Sequence, residues 1–173
     1  MRPVPEYDPR VWLLKALRET AHAMESLLWD LDDAVLDRRP DDGEWSCREL
    51  AAHMAAMERR YVERLERIVR MDEPPIAAFN SDSIPDRPSG ERDALDDEGV
   101  FDLMDEFSVL RRQSVHLLSS LDGEDWERRG IHPYLGPMTV TQAAREMNEH
   151  DLAHLWQLRR VCDRLAPAPA QAL

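Results

Sequence analysis

Four stretches of this sequence place apolar residues at steps of three and four, and each persists for about 25 residues. That periodicity is the strongest constraint on the fold. It lays an apolar stripe down one side of each helix, and a stripe of that length must be buried against others. The first stripe, over about residues 9–34, runs through Leu14, Leu17, Ala21, Met24, Leu28 and Leu31. Asp8-Pro9 opens it, with aspartate as N-cap and proline at the first helical position. The second, about 47–71, carries Leu50, His53, Met57, Tyr61, Leu65 and Ile68 behind the capping box Ser46-Cys47-Arg48-Glu49. Its other side, with Glu58, Arg59, Arg60, Glu63 and Arg67, reads as a solvated face. The third, about 97–121, carries Leu103, Phe107, Leu110, Ser114, Leu117 and Leu121. The fourth, about 140–165, follows a second capping box, Thr139-Val140-Thr141-Gln142. Its stripe is Ala143, Met147, His150, His154, Leu158 and Val161. Four such helices make an all-α four-helix bundle, expected as one domain over residues 1–173 with its core at about 9–165.

The connections differ in kind. Residues 72–97 hold Pro74, Pro75, Pro85 and Pro88 among many acids, and read as a long surface connection. Its length suits a crossover between helices that run the same way, or an excursion between antiparallel neighbours. Residues 123–138 are short and turn-rich, and the tail from Ala166 to Leu173 is expected to fray.

Charge narrows the partners. With 35 acidic and 22 basic residues the net charge is −13, which repels phosphate backbones and argues against nucleic-acid binding. No apolar run reaches membrane length, and Met1-Arg2-Pro3-Val4-Pro5-Glu6 lacks a signal-peptide core, so a cytoplasmic protein with no membrane partner is expected. Two cysteines, Cys47 and Cys162, make no disulfide framework and no CxxC pair. Cys47 opens the second helix beside the capping serine, where a structural role is expected.

Chemistry concentrates in the fourth stripe. His150 and His154 stand one helical turn apart on its apolar face, and His53 has a matching setting on the second helix. Buried imidazoles need polar partners. Each of these is either a hydrogen-bonded core histidine or a ligand for a divalent metal. At 1.5 Å per residue His53 lies about 10 Å into its helix, and the pair about 15–22 Å into theirs, so the three can meet whichever way the helices run. Three histidines leave a fourth position open, as in catalytic sites. No glutamate lies between His150 and His154, which excludes the HExxH protease motif. His22 and His116 sit one step off their stripes, and His132 reads as a turn residue or as the rim of a pocket.

Three segments together resemble the DinB-like family, also called DinB/YfiT-like metalloenzymes. They are Glu44-Trp45-Ser46-Cys47-Arg48-Glu49-Leu50-Ala51-Ala52-His53, then His132-Pro133 with Gly136-Pro137-Met138-Thr139, then Glu149-His150-Asp151-Leu152-Ala153-His154-Leu155-Trp156-Gln157-Leu158. The resemblance runs from about residue 10 to 163. It implies an up-down-down-up bundle with a long crossover between the second and third helices. It also implies a metal (zinc, nickel or iron) held by His53, His150 and His154. Better-understood relatives are transferases and isomerases that use a low-molecular-weight thiol: bacillithiol, mycothiol or glutathione.

The leading expectation is therefore a metal-dependent thiol S-transferase or detoxification enzyme acting on a small-molecule substrate, with a low-molecular-weight thiol as cosubstrate. The alternatives are a metal-dependent hydrolase and a non-catalytic, dimeric metal-binding module. Asp151 reads either as a group orienting a ligand imidazole or as a surface acid. The 72–97 connection and the His132–Pro137 turn are candidate walls of a substrate pocket. Trp12, Trp29 and Trp156 are left for a homodimer face, an expectation that leans on the resemblance.

Overall fold

Each stripe becomes a helix. The structure, a computed structural model, describes residues 8–29, 31–41, 43–78 and 99–165. In order these form α1 (Pro9–Leu28), a short α2 (Asp33–Leu36), α3 (Cys47–Arg70), α4 (Val100–Ser120), a 3-10 turn (Asp125–Glu127), β1 (Arg129–His132), β2 (Gly136–Thr139) and α5 (Val140–Leu165). The starts are capped as the sequence predicts. Asp8 accepts from Arg10 N at 2.9 Å. Ser46 accepts from Glu49 N at 3.2 Å while Glu49 reaches back to Ser46 N at 2.9 Å. Thr139 and Gln142 form the same reciprocal pair at 3.1 and 2.8 Å.

Two boundaries differ from expectation. The first helix was expected to reach residue 34 but ends at Leu28, and α2 begins at Asp33. Asp32 and Asp33 would have lain at the negative C-terminal end of one long helix. The break puts them at the positive N-terminus of α2, where the Asp32 carbonyl accepts from Val35 N and Leu36 N at 2.8 and 3.1 Å. The turn-rich 123–138 segment contains an antiparallel hairpin, Arg129 pairing with Thr139 through to His132 with Gly136. The hairpin is pinned to the chain leaving α3: Ile131 N donates to the Pro74 carbonyl at 2.8 Å and Ile76 N to the Ile131 carbonyl at 3.0 Å. This contact is close. A Cβ on Gly130 would stand 2.6 Å from Ile76 Cγ2 and 3.2 Å from the Pro74 carbonyl. Gly130→Val is therefore expected to destabilise the protein by about 1–3 kcal/mol through overpacking. Thermal unfolding checks this, and an unchanged midpoint would show that the hairpin does not seat there.

The core sets the helix directions. At one end Ala21, Met24 and Leu28 of α1 pack with Leu50 and Met54 of α3, Leu103 and Phe107 of α4, and Leu158 and Val161 of α5. At the other end Leu17 meets Met57, Tyr61 and Leu65, Val115 and Leu118, and Ala143 and Met147. The early halves of α3 and α4 thus share one end with the late halves of α1 and α5. That is up-down-down-up, with α3 and α4 parallel and joined by the long crossover. Residues 79–98 of that connection, a candidate pocket wall, lie outside the described residues, as does the tail from 166 to 173. In cross-section α1 neighbours α4 and α5, and α3 neighbours α4 and α5. The α3/α5 and α1/α4 seams therefore face opposite sides of the bundle. Among the described residues no helix is long and apolar enough to cross a membrane. Trp12, Trp29 and Trp156 are 55%, 75% and 67% exposed.

Candidate metal centre

Along the α3/α5 seam the three predicted histidines come together. His53 Nε2 stands 2.9 Å from His150 Nε2. One donor atom from each of His53, His150 and His154 lies within 4.8 Å of the others. Ring centroids are 5.1 Å apart for His53–His150, 4.5 Å for His53–His154 and 4.4 Å for His150–His154. His53 is fully enclosed, while His150 and His154 keep 8% and 9% of their surface. Access to the cluster is thus from the α5 side.

The donor set fits a divalent ion. Each imidazole offers one ring nitrogen as a ligand atom, and imidazole nitrogen is a common donor to zinc, nickel and iron. Two metal–nitrogen bonds of about 2.0–2.1 Å at angles between square and tetrahedral put the nitrogens about 2.8–3.4 Å apart. The His53–His150 separation falls in that range. His154 Nδ1 lies 2.9 Å from Gln157 Oε1. An amide oxygen only accepts, so Nδ1 carries the proton and Nε2 keeps its lone pair. Sequence reasoning missed Gln157, although its i+3 spacing from His154 is the signal for such a contact.

Aromatic rings wall the cluster. Trp45 lies parallel to His154, 5.9 Å away with 6° between planes, and tilts against His53 at 5.0 Å. Trp45 directly precedes Ser46, the residue that caps α3. Tyr61 meets His150 edge-on at 5.8 Å. Burial pushes the Tyr61 phenol up, so it stays protonated.

Behind the histidines lies a buried charge network. Arg111 Nε and Nη2 donate to the two Glu58 oxygens at 3.0 and 2.8 Å, and Nη1 to the Leu17 carbonyl at 2.6 Å. Nη1 also stands 2.7 Å from Asp151 Oδ2. Ser114 Oγ donates to Glu58 Oε1 at 2.7 Å. This corrects the solvated-face reading of Glu58, which is 1% exposed because α4 supplies its partners. Burial pushes the Glu58 carboxyl up, against the pull of Arg111 and Ser114. Burial also works against the Arg111 charge, but Asp151 and Glu58 outweigh it and raise its pKa. Asp151 is 1% exposed, which removes the surface reading. Its Oδ1 is 3.8 Å from His150 Nδ1, beyond hydrogen-bond range.

The remaining candidates fall outside the cluster. His132 Nδ1 accepts from Tyr134 N and Leu135 N at 3.3 and 3.2 Å, the role of a turn residue. Its hairpin does line a cavity of about 280 Å³, with Pro137 on one side and Glu146 and Glu149 on the other. Cys47 is fully buried, and the Cys162 thiol beside it, with burial, pushes its thiol up. That is a packing residue, as predicted.

Residues 16–158 match the DinB superfamily. The chain belongs to this family. A curated relative of this DinB chain is the uncharacterized protein YuaE of Bacillus subtilis (strain 168), 27% identical over 145 residues, or 80% of this chain and 90% of YuaE. The DinB fold recurs in YfiT from Bacillus subtilis, with a TM-score of 0.77 and 16% identity over 95% of this chain and 93% of YfiT. YfiT is described as "a probable metal-dependent hydrolase with an unusual four-helix bundle topology". It recurs again in TT2238, described as a four-helix bundle protein, with a TM-score of 0.59 and 20% identity over 87% of this chain and 98% of that one. The family resemblance read from the segments around His53, His132 and His150 is borne out.

Proposed function

We propose that this DinB protein binds one divalent ion (zinc, nickel or iron) through His53, His150 and His154, and uses it to transfer a small external thiol to an electrophilic substrate. One observation carries the thiol reading: the acids behind the cluster are already engaged. Glu58 and Asp151 are both held by Arg111, so neither is placed as a general base. Cys47 and Cys162 are buried, so neither serves as a nucleophile. A nucleophile from solution that needs no protein base fits this site best. A divalent ion bound there supplies Lewis acidity, which lowers a thiol's pKa from about 8.5 and makes it reactive at neutral pH. The protein's own part is to hold three imidazoles together, fix the His154 tautomer through Gln157, and shield the site with Trp45. The cavity between the hairpin and α5 is the proposed place for the electrophile.

Hydrolysis is the second reading, supported by the likeness to YfiT. One assay separates the two. Metal-loaded protein is given a chloro-dinitrobenzene with bacillithiol, mycothiol or glutathione in turn. Turnover is expected only with a thiol and is expected to vanish on chelation. Turnover without thiol would favour hydrolysis. No turnover, together with an unchanged spectrum when thiol is added to cobalt-substituted protein, would contradict both thiol transfer and thiol binding.

A further inference from the structure

On the opposite side of the bundle from the histidine cluster, a cavity of about 420 Å³ opens between α1 and α4. Its lining includes Arg18 and His22 from α1 and Arg112 and His116 from α4, over an apolar floor of Ala21 and Val115. Each helix contributes an Arg-x-x-x-His pair, so guanidinium and imidazole share a face. The hydrogen bond from Ser108 to Glu25 fixes the antiparallel register. At that register Arg18 lies across from His116, and His22 across from Arg112.

The two arginines of this cavity are not committed to a carboxylate. In this acidic chain Arg10, Arg39, Arg48, Arg59, Arg64 and Arg164 all meet carboxylates. Arg18 and Arg112 meet none among the described residues, although both are exposed and acids outnumber bases. The carboxylate in the lining, Glu25, is occupied by Ser108. Arg111 at the back of the cavity is already engaged by Glu58 and Asp151.

We propose that this cavity is a binding site for a small organic phosphate, with the phosphate between Arg18 and Arg112 and the organic part on Ala21 and Val115. A guanidinium fork is satisfied by two oxygens, so a carboxylate saturates one arginine. A tetrahedral dianion has the oxygens and the charge to engage both arginines, with His22 and His116 as further donors. The cavity is larger than a bare phosphate, and its apolar floor suits an attached hydrocarbon or ring.

The test is calorimetric titration of the full chain with phenyl phosphate, with inorganic phosphate and benzoate as separate arms, while the imidazole resonances of His22 and His116 are followed by NMR. Phenyl phosphate is expected to bind with a dissociation constant below about 1 mM and to shift both resonances. Benzoate is expected to bind at least about tenfold more weakly, and inorganic phosphate to fall between them. The double variant Arg18→Gln, Arg112→Gln is expected to lose at least about tenfold in affinity for phenyl phosphate. Both side chains are exposed, so its helicity and metal content serve as controls and should match wild type. Equal affinity in wild type and the double variant would place the ligand elsewhere, the histidine cluster included, and overturn the site. Benzoate binding as tightly as phenyl phosphate would overturn the phosphate assignment. Absence of heat and of resonance shifts would overturn both.

Discussion

Arg111→Ala is expected to destabilise the protein by about 3–5 kcal/mol, the cost of stranding buried charge. Arg111 is 2% exposed and is the shared partner of Glu58 and Asp151, each 1% exposed. Removing it leaves two carboxylates facing each other out of water, and leaves the Leu17 carbonyl without its donor. The network ties α1, α3, α4 and α5 together at mid-height, so its loss is felt by the whole bundle. At about 2–4 °C per kcal/mol for a chain of this size, the unfolding midpoint should fall by roughly 6–20 °C. The double variant Glu58→Gln, Arg111→Met is expected to lose less than Arg111→Ala, because it strands one charge instead of two. Denaturant titration of both variants measures the difference. A loss below about 1 kcal/mol for Arg111→Ala would contradict the network.

Arg111 also shows where the sequence was readable and where it was not. It stands four residues after Phe107 and three before Ser114, on the apolar stripe of α4. An arginine in that register is a signal for a buried acid on a facing helix. Glu58 is one step beyond Met57 and looked solvated from its own helix alone. Its burial is decided by α4, 53 residues away in the chain. The helices themselves were legible because periodicity and capping are local: every stripe residue of α3 and α5 is buried. The hairpin was not legible, since its strands have four residues each and are held by Pro74 and Ile76 rather than by their own pattern. The histidines were legible as an i, i+4 pair plus one. That they meet depends on α3 and α5 being neighbours in the bundle, which stripes do not encode. Gln157 and Trp45 acquire their roles only once His154 is in place between them.

Loss of metal on removing His150 is the second large effect expected. Two imidazoles in water hold a divalent ion far less tightly than three in a desolvated, oriented set. His150→Ala should therefore release most of the ion, and His53→Ala should match it. Gln157→Ala keeps all three ligands but frees the His154 ring, and should weaken affinity by about 10–100-fold without abolishing it. Competition with a chromogenic chelator ranks the variants. Equal affinity for His150→Ala and wild type would remove His150 from the site.

The central claim is that His53, His150 and His154 form one metal centre, and elemental analysis of protein purified without a histidine tag tests it most directly. Wild type should carry about one zinc, nickel or iron ion per chain, and the triple alanine variant at the three histidines should carry almost none. A triple variant that retains as much metal as wild type would contradict the account.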